Sequence, residues 1–259
     1  MFRNSKDRLP VFIILSLSAL DFYLYFTVES ILVLSIYWLI MLIPKANICA
    51  WNHHHQHSFV FRSKTLNHIL EFFYALHTGA VTNIWVLHHN LGHHRNFLDQ
   101  ECDESRWKYK NGKPMGELAY TLIVFLTSYS RALGVGKNHK KLRNRFVIFG
   151  SLTFLIVAAL VVYNPVPALL LFVTPMITSL IFTAWTTYDH HAGLDTEDQF
   201  AASFNKLNGL YNLVTGNLGY HTAHHYKPGT HWSKLPELHA SIKHKIPDHL
   251  MDSEATLTS

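Results

Sequence analysis

Four long apolar runs constrain what this chain can fold into more than any other feature. Residues 9–26 read LPVFIILSLSALDFYLYF, apolar apart from Asp21. Residues 30–51 open with SILVLSIYWLIMLIP and continue through the apolar-leaning ANICAW. Residues 146–163 read FVIFGSLTFLIVAALVVY, and residues 166–185 read VPALLLFVTPMITSLIFTAW. A hydrocarbon core about 30 Å thick is crossed at roughly 1.5 Å per helical residue, so each run is long enough or nearly so. The expected fold is all-α: an integral membrane chain with four transmembrane helices in a single domain over 1–259.

The links between the runs set the topology. Residues 27–29 can turn the first pair back on itself, and Asn164-Pro165 can do the same for the second pair. Both termini and the long middle segment then share one side. Arg3, Lys6 and Arg8 precede the first span, Lys45 follows the core of the second, and Lys137, Lys140, Lys141, Arg143 and Arg145 precede the third. The two short turns carry no Lys or Arg, so the positive-inside rule makes the shared side cytoplasmic. A cleaved signal peptide over residues 1–26 lacks a small-residue cleavage site before a hydrophilic chain. Residues 118–133 (LAYTLIVFLTSYSRAL) are shorter and flanked by charge, which suits a helix lying on the membrane surface. The tail after about residue 252 is expected to be disordered. A net charge of +5 would permit a nucleic-acid partner, but the apolar runs assign it to a membrane.

Histidine is the second anomaly. Twenty histidines outnumber the 17 acidic residues, and thirteen of them fall in four clusters. In His53-His54-His55-Gln56-His57, the first and last are one helical turn apart and share a face. His89 and His93 repeat that spacing, while His94 is turned about 100° from His93, toward a different ion. His221-Thr222-Ala223-His224-His225 follows the same logic, and His190-His191 ends the fourth run. His54 and His55 point elsewhere. Isolated His68, His77, His139, His231, His239, His244 and His249 read as surface or core residues. Two cysteines, Cys49 and Cys102, exclude a disulfide scaffold and a four-thiolate site.

Imidazole suits several transition metals. Eight or nine ligands exceed what one zinc takes, and the H-E-x-x-H pattern of zinc proteases is absent. The paired E-x-x-H motifs of carboxylate-bridged bundles are also missing, which leaves two irons held almost wholly by histidine. A membrane zinc hydrolase and a metal transporter are the alternatives from other classes, although a transporter would place its ligands inside the spans.

The three boxes, their order and the span–box–box–span–span–box layout resemble the membrane fatty acid desaturase superfamily over about residues 10–247. His53-x-x-x-His57-Ser58-Phe59, His89-x-x-x-His93-His94, and Gly219-Tyr220-His221-Thr222-Ala223-His224-His225 with the trailing Leu235-Pro236 carry the resemblance. It implies two irons and nine histidine ligands: His53, His57, His89, His93, His94, His221, His224, His225 and one after the last span. His191 is preferred to His190 there because His191-Ala-Gly-Leu resembles the corresponding stretch of alkane-oxidising relatives. The first box has His54 where an acidic residue is usual. The second, with Asp103-Glu104-Ser105-Arg106 downstream, is more similar to membrane alkane hydroxylases.

What the resemblance implies is an O2-dependent oxidoreductase acting on a long acyl or alkyl chain, a fatty acyl desaturase first. An alkyl hydroxylase or a terminal-alkene- or alkyne-forming oxidase is the alternative. Spans and boxes use nearly all of the chain and no His-Pro-Gly-Gly haem motif is present. Electrons are therefore expected from a separate ferredoxin or cytochrome b5 type protein, which the basic segment 137–145 could dock. Asp189, Glu197, Asp198, Asn212 and Asn217 are candidates to orient the ligand rings.

Overall fold

A computed structural model describes residues 1–252; the expected disordered tail lies outside the described residues. The helices are α1 (Arg8–Thr27), α2 (Ile31–His57), α3 (Lys64–Thr78), α4 (Glu117–Gly136), α5 (Lys140–Tyr163), α6 (Pro165–His191), α7 (Gly209–Thr215), α8 (His221–Tyr226) and α9 (Leu235–Ile242). A π-helical turn, Trp85–Leu91, precedes the long loop to α4. Two short parallel strands, β1 (Asn205–Lys206) and β2 (Met251–Asp252), pair near the end of the chain.

Five helices are long and apolar enough to cross a membrane: Ser5–Thr27, α2, α4, α5 and α6. Four of them contain the apolar runs read from the sequence. The fifth is α4, which the sequence places on the membrane surface and which also qualifies by length and composition. The α1–α2 and α5–α6 turns fall where the sequence puts them. Leu24 O and Leu160 O accept from Val28 N and Asn164 N, and Pro165 takes the first helical position, where no N–H is needed.

By their contacts the residues form two compact units. The first contains residues 1–55, 59–85 and 136–183. Tyr25, Leu34, Leu76, Val157, Leu171 and Phe172 make one core cluster, and Val11, Ile14, Ile48, Leu70 and Tyr74 make another. The outer faces stay apolar: Phe12, Leu32, Ile40, Leu155 and Val162 are exposed, Val162 at 86 %. Only lipid covers such a surface without cost.

α3 is the element the sequence does not announce. Ser63 Oγ accepts from Leu66 N at its start, and Gly79 ends it at φ +65°, where a Cβ would stand 2.6 Å from Met176 O. Between these caps it sinks into the unit. His77 Nε2 meets Ser18 Oγ at 2.8 Å, and Ser179 Oγ donates to His77 O. The polar residues of its first half are absorbed locally: Asn67 bonds the backbone of Phe61, and Glu71 takes Thr82 Oγ1 and His68 Nδ1, each at 2.8 Å.

A second feature revises a sequence reading. Lys45 is 2 % exposed, with its ammonium 2.8 Å from both oxygens of Asp21 and 3.1 Å from Leu171 O. That carbonyl lies in the π-turn of α6 (Leu169–Val173), where the regular ladder is interrupted. Tyr37 also donates to Asp21. Lys45 is thus the partner of a buried carboxylate and not a marker of the charged membrane face.

The second unit contains residues 56–58, 86–135 and 184–252. Trp107, Met115, Tyr120, Val124 and Ala184 form one of its clusters, and Ala223, Ile242, Ile246 and Leu250 form another.

Candidate metal centre

The first box continues α2 without a break, so His53 and His57 stand one turn apart on one face. The second box begins in the π-turn, where Gly92 gives the chain room to fold back. A Cβ there would lie 2.4 Å from His88 O and 2.6 Å from Glu104 Cγ. His93 N and His94 N both donate to His89 O, which brings the two rings out on different sides. The third box is α8. Asn205 grips Thr222 through N–H···Oδ1 (3.1 Å) and Nδ2–H···Oγ1 (2.8 Å), and Ser203 adds a hydroxyl contact at 2.9 Å.

These elements gather two groups of ring nitrogens. In the first, the ligand atoms of His57, His89, His94 and His224 lie within 4.8 Å of one another. His94 Nε2 is 3.0 Å from His224 Nε2, and the His57 ring centre is 4.8 and 4.7 Å from theirs. In the second, His93, His191 and His225 meet the same limit. His221 adds its Nε2 at 3.0 Å from His191 Nε2.

Tautomers decide what the second group can hold. His93 Nδ1 lies 2.8 Å from Asp103 Oδ1, and His191 Nδ1 donates to Ala202 O at 2.9 Å. With a proton on each Nδ1, both Nε2 atoms present lone pairs, and these face one another at 3.2 Å. Two lone pairs that close repel unless a cation lies between them. His225 gives the same signal: neither ring nitrogen has a hydrogen-bond partner, and the residue is buried. Burial first, then the neighbouring imidazoles, hold His94, His221 and His225 well below the ordinary histidine range. They are neutral at pH 7, as ligands must be. The donor set fits a soft-to-borderline transition metal in each group.

His190, the alternative to His191, is turned to another task. Its Nδ1 donates to Phe204 O and its Nε2 accepts from Tyr211 OH, each at 3.1 Å. Its ring stacks on His221, centres 4.0 Å apart and planes 13° apart. His55 is drawn to Glu71, 3.5 Å away.

The five residues the sequence offers as ring-orienting partners are occupied elsewhere. Asp189 pairs with Lys206 at 2.7 Å, and Asn212 bonds the backbone at Lys206, Asn208 and Gly219. Asn217 bonds Trp232 O, Asp198 caps Phe200 N, and Glu197 lines an open cleft. Asp103 and the Ala202 carbonyl orient the rings instead. Asp103 had a signal in its place nine residues after His94, in a short acidic stretch. A backbone carbonyl has none.

Helices long and apolar enough to cross a membrane, with two converging sets of histidines, define a membrane metalloprotein. The family model for fatty acid desaturases matches residues 29–252, most of the chain. The chain belongs to the fatty acid desaturase family, which makes it an oxidoreductase of the membrane desaturase type. No curated protein and no solved structure matches it.

Proposed function

We propose that this chain is an O2-dependent di-iron enzyme that desaturates a long fatty acyl chain in the membrane. The observation that carries this reading is the approach of His93 Nε2 to His191 Nε2, 3.2 Å apart, beside the His57, His89, His94 and His224 group. The proposed ligands are His53, His57, His89, His93, His94, His191, His221, His224 and His225. Bound there, two irons supply the power to oxidise an unactivated C–H bond with O2 and two external electrons. The chain's own residues hold the rings: Asp103 and Ala202 O fix two tautomers, and His190 braces His221. The buried clusters around the boxes exclude water from the reacting centre.

The packing of α4 supports a surface position and hence four spans. It meets the last turns of α6 at Ala184, Tyr188 and Ala192, and the loop at Trp107 and Met115. Leu118, Leu122, Leu126 and Leu133 are exposed along one side, as suits a helix half-sunk in the headgroup layer. The termini and histidine boxes lie on the cytoplasmic side, where Arg3, Lys6, Arg8 and the basic start of α5 cluster. The substrate is an unbranched chain whose methylenes each contribute about 0.8 kcal/mol when buried. A separate ferredoxin or cytochrome b5 type donor supplies the electrons.

Iron analysis and product analysis test the proposal together. Two irons per chain are expected, with new double bonds in saturated chains of graded length supplied with a reductase system. One zinc per chain would end it. A hydroxylated product would keep the metal centre and replace desaturation by oxygen transfer, which the similarity of the second box to alkane hydroxylases makes the second reading.

A further inference from the structure

One face of α4 is spent on holding a loop. At about 100° per residue, Tyr120, Val124, Thr127 and Arg131 share that face, nearly opposite the exposed Leu118, Leu122, Leu126 and Leu133. Tyr120 is buried and Arg131 is half-buried. The Arg131 guanidinium donates through Nε to Thr127 Oγ1 at 2.7 Å and through Nη1 to Glu104 O. Tyr120 OH donates to Ser105 O at 3.1 Å. Two side chains of one helix face therefore take two consecutive carbonyls of the loop.

That loop carries Asp103, whose carboxylate stands at His93 Nδ1. Asp103 O accepts from Arg106 Nη1 at 3.1 Å, and Glu104 N donates to Gly92 O at 3.2 Å, immediately before His93. Asp103-Glu104-Ser105 is thus tied to the second box on one side and to α4 on the other. Ser105 N closes on Asp103 Oδ1 at 2.7 Å, so a shift of this backbone carries the carboxylate with it. Of the two α4 contacts, the one from the guanidinium is charge-assisted and the stronger kind. Its loss would leave Glu104 O without that donor and let the loop move against the ring.

We infer that Arg131 is a positioning residue for the metal centre: through Glu104 O it fixes the loop on which Asp103 orients His93. The inference rests on the proposed role of His93 as a ligand. Cobalt(II) titration of the full chain in detergent, followed by its visible absorption, reads the two histidine groups apart from catalysis. Arg131→Met keeps the alkyl stem and removes the donors. It should weaken one site about tenfold and leave the other within about twofold. Arg131→Lys, which retains the charge and a donor, should recover part of the loss. Tyr120→Phe should weaken the same site about threefold.

The deciding measurement is the cycle with Asp103→Asn. In that background Arg131→Met should cost less than about twofold more, because the link from loop to ring is already weakened. Melting temperatures of the same preparations register general damage to the fold, which would lower both sites together. If Arg131→Met does not fold, Tyr120→Phe and Arg131→Lys run the same cycle. Losses that multiply across the cycle, equal weakening of both sites, or unchanged affinity in the Arg131 variants would overturn the inference. Two cobalt sites indifferent to Arg131 would remove this role alone, whereas a wild-type chain that takes up no cobalt would remove the proposed metal centre itself.

Discussion

His93 and Asp103 are ten residues apart and joined through Nδ1, which stands 2.8 Å from one carboxylate oxygen and 3.0 Å from the other. Both side chains are nearly inaccessible, at 1 % and 2 %. The carboxylate also accepts from Ser105 N at 2.7 Å, so it is held from two sides before it holds the ring. Asp103→Asn keeps the shape and weakens the acceptor that fixes the tautomer. Metal affinity of the His93 group should fall about 10- to 100-fold with the fold intact. Metal titration should show one of two sites weakened; two unchanged sites would count against the role.

His190 and His191 test whether adjacent residues do different work. His191→Ala should abolish metal uptake at its group and all turnover. Tyr211→Phe removes the phenol that donates to His190 and should cost about 1 kcal/mol of stability with both metals retained. His190→Ala should lie between, lowering metal affinity because His221 loses its stacked neighbour. Metal content per chain across the three variants separates them. Equal loss in His190→Ala and His191→Ala would make both residues ligands.

The first box was legible in the sequence because its spacing is local: His53 and His57 share a face by helix geometry alone. The second was not, because the helical turn ends at Leu91 and the chain folds back at Gly92, so that His89 groups with His94 while His93, expected on the face of His89, joins His191 and His225. The apolar runs were legible, since crossing lipid is a matter of length and composition. Three further things were not. Helical rotation says that His190 and His191 point apart, but only the Ala202 and Phe204 carbonyls and Tyr211 decide which way. α3 carries Asn67, His68 and Glu71, and no local pattern shows that Phe61 and Thr82 fold back to satisfy them. Lys45 looks like an interfacial charge until Asp21, on another helix, is placed beside it.

Acid should destabilise the metal-free protein from a definite pH downward. His88 is pushed down to about 3 by burial first and then by the Arg131 charge, and His94, His221 and His225 are held low as described. In the unfolded chain these histidines titrate near 6.5. Below that pH the unfolded state binds more protons than the folded one, so stability falls as pH drops and is fully present above it. Melting temperatures of apo-protein in detergent should be level above about pH 7 and decline steadily toward pH 5. A flat profile across that interval would show that the buried histidines are not neutral.

The Asp21–Lys45 pair should be costly to break and cheap to replace. Losing one partner strands a buried charge, a change of about 3–5 kcal/mol, so Lys45→Met and Asp21→Asn should each depress folded yield sharply. Removing both charges together should restore most of it, because the cost lies in the unpaired ion. Folded yield and melting temperature over the double-mutant cycle report the coupling. Additive losses would mean that the two groups act independently.

Topology is decided by α4. With four spans, residues 5, 111, 138 and 245 all lie on the cytoplasmic side and residue 164 alone lies outside. If α4 crosses the membrane, residues on either side of it, 111 and 138, label from opposite faces, and residues 5 and 245 also part. Single cysteines at these positions, in a background lacking the exposed Cys102, can be probed in intact cells with an impermeant maleimide. Cys49 is buried and should stay silent. The packing of α4 on Ala184, Tyr188 and Ala192 favours the first pattern, since these residues occupy only the final two turns or so of α6 and its end. Arg131 adds to this: its guanidinium bonds Glu104 O and Thr127 Oγ1, and a permanently charged group is more costly at the bilayer centre than at its edge. Labelling at 164 alone from outside is the expected result, and labelling at 111 or 138 from outside would make α4 a fifth span.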